Sequence, residues 1–189
     1  MRPTIIYFVR HGEVYNPKKV LYGRLPGFSL SNEGKKRITE ISKYFKDKNA
    51  RYLYSSPLLR ARQTARIIGK SLRLIPKISF LLNEVAIYCQ GIQLSEYKNN
   101  VQPHMYDQVN LDKGQESLES IKNRMTKFLN MIVKKHNGMT VIVVSHGDPI
   151  TILKATLENK MFTWKYKLDS YIKTGHWIKV TCNEGKCEV

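Results

Sequence analysis

Two histidines, each closing a short apolar run, are the residues best placed to do chemistry. Ile5-Ile6-Tyr7-Phe8-Val9 runs into Arg10-His11-Gly12-Glu13, and Val141-Ile142-Val143-Val144 runs into Ser145-His146-Gly147. A phosphoryl-transfer site needs a nucleophile, positive groups around the phosphate oxygens and an acid for the leaving group. The chain offers each. His11 is a candidate nucleophile through a ring nitrogen. Arg10 and Arg60 can hold phosphate oxygens in guanidinium forks. His146, when protonated, can stabilise charge on the equatorial oxygens. A helix opening at Asp148 can aim backbone N–H groups and its positive dipole end at an anion. Glu84 is a candidate general acid. Singly, each residue has a plainer reading: a packed histidine, an exposed helix arginine, a surface carboxylate. The two histidines could also be metal ligands, but no third ligand accompanies them at a recognisable spacing.

These residues need elements to position them. In an open α/β sheet, ligands bind at the carboxyl ends of the strands. If the two apolar runs are parallel neighbours, His11 and His146 face each other across such a crevice. Thr4 to Val9 is the first strand, followed by a turn-rich loop to about Leu30 with Asn16-Pro17, Gly23 and Pro26-Gly27. Ser31 is a good N-cap for a helix that buries Ile38, Ile41 and Phe45. Tyr52-Leu53-Tyr54 reads as a second strand. Ser56-Pro57 then reads as an N-cap with proline at the first helical position. Leu74 to Phe80 reads as a strand despite Pro76. From Glu84 to about Gln115 the periodicity fades. A structureless stretch of that length is unusual unless functional, so it reads as a partly helical cap over the site. Leu118, Ile121, Met125, Phe128 and Ile132 mark the clearest helix, ending near Asn137-Gly138. Asp148-Pro149 starts another, and His176 to Val180 resembles a closing strand. The alternation predicts an α/β fold, a three-layer α/β/α sandwich with a mostly parallel sheet and the cap over its carboxyl ends, in a single domain across 1–189.

Composition narrows the function classes. The chain has 189 residues, 42% of them hydrophobic, and a formal net charge of +17. No apolar run is long enough to span a membrane, and the N-terminal run is too short for a signal peptide. Cys89, Cys182 and Cys187 are odd in number and form no Cys-x-x-Cys pair, which predicts a reducing, cytoplasmic setting without disulfides. The positive field attracts anions, but the basic residues (Lys35, Lys36, Arg37, Lys43, Lys46, Lys48) are scattered and read as solvated helix faces. No nucleic-acid motif accompanies them, so nucleic acid and membrane are not expected partners.

The motifs, taken together, resemble those of the histidine phosphatase superfamily, the phosphoglycerate-mutase-like group. Arg10-His11-Gly12-Glu13 matches its opening signature. Leu25 to Gly34 resembles the segment leading into its first helix. Ser55-Ser56-Pro57-Leu58-Leu59-Arg60-Ala61-Arg62-Gln63-Thr64-Ala65 matches its second signature nearly throughout, while Gly114-Gln115-Glu116-Ser117 and Ser145-His146-Gly147 resemble later ones.

The resemblance implies that His11 takes the phosphoryl group, Arg10, Arg60 and His146 form the phosphate pocket, Glu84 protonates the leaving oxygen, and neither metal nor cofactor is used. The implied substrate-binding set is Arg10, Asn16, Gly23, Arg60, His146 and Gly147. The chain departs from the family at Asn16, one residue nearer the histidine than is common, and at Val85 to Gly91, after the acid. It lacks the length of the cofactor-dependent mutases and has more cap than the phosphohistidine-protein phosphatases. The expected activity is therefore hydrolysis of a small phosphomonoester, with mutase-type phosphoryl transfer or a non-catalytic phosphate-binding module as alternatives. Trp164, Tyr166 and Tyr171 are expected in the core.

Overall fold

Four of the apolar runs form strands of one sheet in the computed structural model, which describes residues 2–189. The strands are β1 (Thr4–Arg10), β2 (Ala50–Ser55), β3 (Lys77–Ile78), β4 (Thr140–Ser145), β5 (Trp177–Asn183) and β6 (Lys186–Glu188), in the order β3-β2-β4-β1-β5-β6. The first four in that order are parallel, while β5 runs antiparallel to β1 and β6 antiparallel to β5.

Alternating side chains divide the core into two layers, as strand geometry requires. Tyr7, Val9, Leu53, Ile142 and Val144 meet α1 (Asn32–Tyr44) and α2 (Leu59–Leu72) on one face. Ile6, Phe8, Tyr54, Val141 and Val143 meet α5 (Leu118–Lys135) and α6 (Gly147–Leu157) on the other. This is the expected three-layer sandwich. Ser31 caps α1 through the Gly34 N–H, and Ile38, Ile41 and Phe45 are buried as their spacing requires.

Residues 84–115 are short helical pieces: α3 (Leu94–Glu96) continuing into a π-turn, then α4 (Gln108–Asp112). Four expectations are corrected. The strand predicted over Leu74 to Phe80 is only two residues long, because Pro76 has no N–H to donate and β3 pairs only with Tyr54 and Ser55. Helix α2 starts at Leu59, not at Pro57. A helix not anticipated, α7 (Trp164–Ser170), is capped by Thr163 accepting from the Tyr166 N–H. Cys182 and Cys187 form a disulfide, because the turn at Glu184-Gly185 folds β6 back and sets them directly opposite each other. The cystine removes the cysteine-based argument for a reducing setting. Among the described residues no helix is long and apolar enough to cross a membrane.

Candidate active site

Strands β1 and β4 are parallel and in register, with Arg10 beside Ser145. The residues that follow therefore leave the sheet at the same end. The rings of His11 and His146 lie 5.1 Å apart between centroids. The His11 N–H donates to the Ser145 carbonyl at 3.1 Å, and the Gly12 N–H to Thr64 Oγ1 of α2 at 3.0 Å. The junction is thus fixed to both neighbouring elements.

Nδ1 of His11 lies 2.7 Å from the Gly12 carbonyl. A carbonyl can only accept, so Nδ1 carries the ring proton and Nε2 presents a lone pair. Arg60 Nε–H donates to that Nε2 at 3.1 Å. Burial, with the guanidinium groups of Arg60 and Arg10 beside it, holds the His11 pKa well below the usual imidazole range. The ring is neutral at physiological pH, the state a nucleophile needs.

Arg60 is fully buried in the first turn of α2. Its Nη2 donates to the Gly23 carbonyl at 2.8 Å, and its guanidinium lies over the Tyr22 ring at 4.7 Å. Arg10 ends β1. Its Nη1 donates to the Ile172 carbonyl at 2.7 Å, its guanidinium lies 4.7 Å from the Tyr171 ring centre, and its buried Nε has no partner among the described residues. His146 Nε2 lies 2.8 Å from Ser56 Oγ, while its buried Nδ1 has no hydrogen-bond partner among the described residues. Burial and then Arg60 keep His146 neutral as well. An anion would supply partners for both orphaned nitrogens.

Glu84 completes the group. Its Oε2 lies 3.8 Å from His146 Nδ1 and 3.9 Å from Arg60 Nη2, and its Oε1 accepts the Val85 N–H at 3.0 Å. Burial, and then Asp148 nearby, raise its pKa above the ordinary carboxylate value, favouring the protonated acid. The loop carrying it is pinned by Glu116. That carboxylate accepts from the Ala86 N–H at 3.0 Å, Arg24 Nη2 at 3.0 Å and Arg124 Nε at 2.7 Å.

A cavity of about 220 Å³ opens onto this group. Arg10, Tyr22, Gly23, Glu84, Asp148 and Tyr171 form its inner wall, while Ile87, Leu94, Tyr97 and Lys98 of the 84–115 segment form the outer one. The 84–115 segment thus supplies Glu84, Ile87, Leu94, Tyr97, Lys98 and Gln102 to the lining. Larger concavities elsewhere, such as one of about 680 Å³ beside Arg2 and Arg51, are lined by neither Arg10 nor Glu84.

Residues 6–189 match the family described as "Histidine phosphatase superfamily (branch 1)". The chain belongs to the histidine phosphatase superfamily. An uncharacterized Mycobacterium tuberculosis protein, Rv0525, is 31% identical over 161 residues, covering 83% of this chain and 80% of its own length. Phosphoserine phosphatase 1 of Hydrogenobacter thermophilus is 29% identical over 167 residues, covering 80% and 75%. Among solved structures, a phosphoserine phosphatase mutant from Entamoeba histolytica in complex with phosphoserine superposes with a TM-score of 0.82 at 21% identity, covering 97% of this chain and 93% of that one. This superfamily and its neighbours here are phosphatases or mutases, which supports a phosphatase.

Within this superfamily member, the sequence-derived set converges with one exception. His11, Arg10, Arg60, His146 and Glu84 meet as described. Gly23 contributes its carbonyl, at φ +39°, and a Cβ there would strike the Gln90 side chain. Gly147 opens α6, where a Cβ would collide with the Tyr171 hydroxyl. Asn16 does not join the group. Its amide accepts from the Val20 N–H at 3.2 Å and donates to the Val20 carbonyl at 2.8 Å, so both ends are spent on its own turn.

The metal reading needs correction too. Glu84 supplies the third ligand missing from the local spacing, since His11, Glu84 and His146 present ligand atoms within 4.8 Å of one another. The same place holds two guanidinium groups, however, which suit an anion and repel a dication.

Sequence reasoning missed Tyr22, Ser56, Lys167 and Tyr171. Ser56 looked like a helix cap. Its Oγ instead accepts the Leu58 N–H at 3.3 Å and meets His146. Tyr171 and Trp164, expected in the core, are each 37% exposed.

Proposed function

We propose that this chain is a metal-independent phosphomonoester hydrolase that works through a phosphohistidine on His11, on a small phosphorylated metabolite. The observation that carries this reading is the pair of contacts that the His11 ring makes. Nδ1 is spent on the Gly12 carbonyl, and Nε2 stands neutral beside Arg60.

Nε2 attacks phosphorus as the ester P–O bond breaks. The leaving oxygen takes the proton of Glu84, so the alcohol departs neutral and the phosphoryl group is bound to nitrogen. Water then attacks phosphorus and gives a proton to the Glu84 carboxylate. The N–P bond breaks, inorganic phosphate leaves, and both residues return to their starting states. Arg10 Nε and Arg60 supply fixed donors for the phosphoryl oxygens. His146 takes up a proton when the dianion's charge outweighs the burial and the arginine charge that otherwise keep it neutral.

The cavity of about 220 Å³ suits a small leaving group between aromatic walls. Two relatives bear the name phosphoserine phosphatase, so phosphoserine belongs in the first substrate panel. The test is hydrolysis of an aryl phosphate in EDTA, wild type beside His11→Ala, with acid quench to trap labile phosphoprotein. Turnover and trapped phosphate that both vanish in the variant support the reading. Inactivity of the wild type on the whole panel, with vanadate still bound, would favour an anion-binding module instead.

A further inference from the structure

Asp148 of the cavity wall is half of a buried ion pair with Lys167, and neither residue takes a step in the chemistry proposed above. Asp148 follows directly on His146-Gly147, and Lys167 comes from α7; both are at least 94% buried by exposures of 6% and 4%. Lys167 Nζ lies 2.8 Å from Asp148 Oδ1 and 2.9 Å from Oδ2. A carboxylate in the wall of an anion pocket is an electrostatic contradiction. Left bare, it would repel an incoming phosphate dianion in a setting where water screens little.

The segment that delivers Lys167 also grips Arg10. Four residues on, the Tyr171 ring lies under the Arg10 guanidinium at 4.7 Å, with its hydroxyl seated against Gly147. The next residue, Ile172, accepts from Arg10 Nη1 at 2.7 Å. Lys167 Nζ is itself 5.4 Å from the Tyr171 ring centre. One stretch of chain therefore neutralises one residue of the cavity wall and orients another, leaving Arg10 Nε buried and free.

We infer that residues 164–172 form a strap with Asp148 as its anchor. Lys167 cancels the Asp148 charge and fastens the strap, and Tyr171 and Ile172 then hold Arg10 toward the phosphate position. Asp148, Lys167 and Tyr171 are positioning residues. The inference rests on the phosphate-pocket reading given above.

The test uses the full chain and reads vanadate binding as well as aryl phosphate turnover, so it does not depend on activity. Lys167→Met leaves Asp148 bare and the strap unfastened, and its vanadate Kd is expected to rise at least about tenfold; Asp148→Asn added to it is expected to recover the part of that loss due to the bare charge and to leave the part due to the unfastened strap. The pH profile separates charge from packing. Glu84 is faced by Asp148, Arg60, Arg10, His146, Arg24, Tyr22, Tyr97, Tyr106 and Tyr171; Asp148 by Lys167, Arg10, Glu84, Tyr97, Tyr106 and Tyr171. A bare Asp148 keeps the Glu84 proton on, so Lys167→Met moves the basic limb of kcat to higher pH. Asp148→Asn alone moves it lower. Tyr171→Phe keeps the ring under Arg10 and retains vanadate affinity, whereas Tyr171→Ala weakens it. Equal loss of vanadate affinity in Lys167→Met and the double variant would overturn the inference, as would limbs that move together or not at all. If Lys167→Met does not fold, Asp148→Asn and the tyrosine pair decide it. A wild type that binds vanadate but hydrolyses nothing would sink the hydrolase reading and leave the strap standing.

Discussion

Arg60 donates its Nε–H to Nε2 of His11 at 3.1 Å, the same nitrogen that the proposed mechanism sends to phosphorus. In that proposal the nucleophile is held ready by a phosphate ligand. When phosphate arrives, the guanidinium exchanges an imidazole for an oxyanion. This economy makes the side chain hard to replace.

Arg60→Lys is expected to lower kcat/KM for an aryl phosphate by about 10²–10³-fold, the usual cost of one fixed donor to a developing charge. A lysine keeps the charge but cannot reach His11, the Gly23 carbonyl and a phosphate oxygen at once. Steady-state kinetics on a variant with wild-type thermal stability check this. A loss under threefold would mean that the bond to His11 serves only the unliganded state.

Glu84→Gln should separate leaving groups. An alkoxide needs the proton and a nitrophenolate barely does, so hydrolysis of an alkyl phosphate falls by about 10²–10⁴-fold while that of nitrophenyl phosphate falls much less. In wild type, kcat declines as pH rises through the Glu84 pKa, which burial and Asp148 hold above the ordinary carboxylate value. Equal losses on both substrates would place the acid elsewhere.

Folding stability should fall on acidification below about pH 6.5, the ordinary histidine pKa. His11, His146 and His136 all have folded-state values below it, chiefly because of burial. The unfolded chain then binds more protons than the folded one, so stability rises with pH up to that point and is lost as pH falls. Glu84, shifted upward, binds an extra proton when folded and so has the opposite sign, offsetting part of one histidine. Urea midpoints between pH 5 and 7.5 measure the slope; a flat profile would contradict the neutral, buried histidines.

Glu116→Gln is expected to destabilise the fold by about 3 kcal/mol, because Arg24 and Arg124 lose a largely buried partner. Burial alone would raise the Glu116 pKa, but Arg124 above all outweighs it, and the net shift is downward. The same change leaves one acceptor oxygen where Ala86, Arg24 and Arg124 share two, which loosens the Glu84 loop. Activity should therefore drop more on substrates that need the acid. Chemical denaturation paired with the two-substrate comparison reads both effects.

The sandwich and the facing histidines were legible because β1 and β4 are buried on both sides, which forces continuous apolar runs that stop where the site begins. Ser31 was legible as a cap for the same local reason. What escaped was decided by long-range contacts. Ser56 has the local look of a helix cap, and only the fold sets His146 beside it. Tyr171 reads as core until Arg10, far away in sequence, is placed over its ring. Asn16 keeps the family's residue type, yet the short turn to Val20 uses up its amide. The cystine escaped because a spacing of five says nothing until the hairpin register pairs the two residues.

The lengths of the outer strands bear on behaviour in a crowded solution. The long, apolar strands β1 and β4 are enclosed, whereas the sheet ends in a strand of two residues at one side and three at the other. Lys77 and Lys186 sit on those margins. A second chain approaching either side meets a short outer strand with a lysine on it, a guard against strand-by-strand aggregation that covers Tyr54 and Ser55 of β2 and Thr181 to Asn183 of β5.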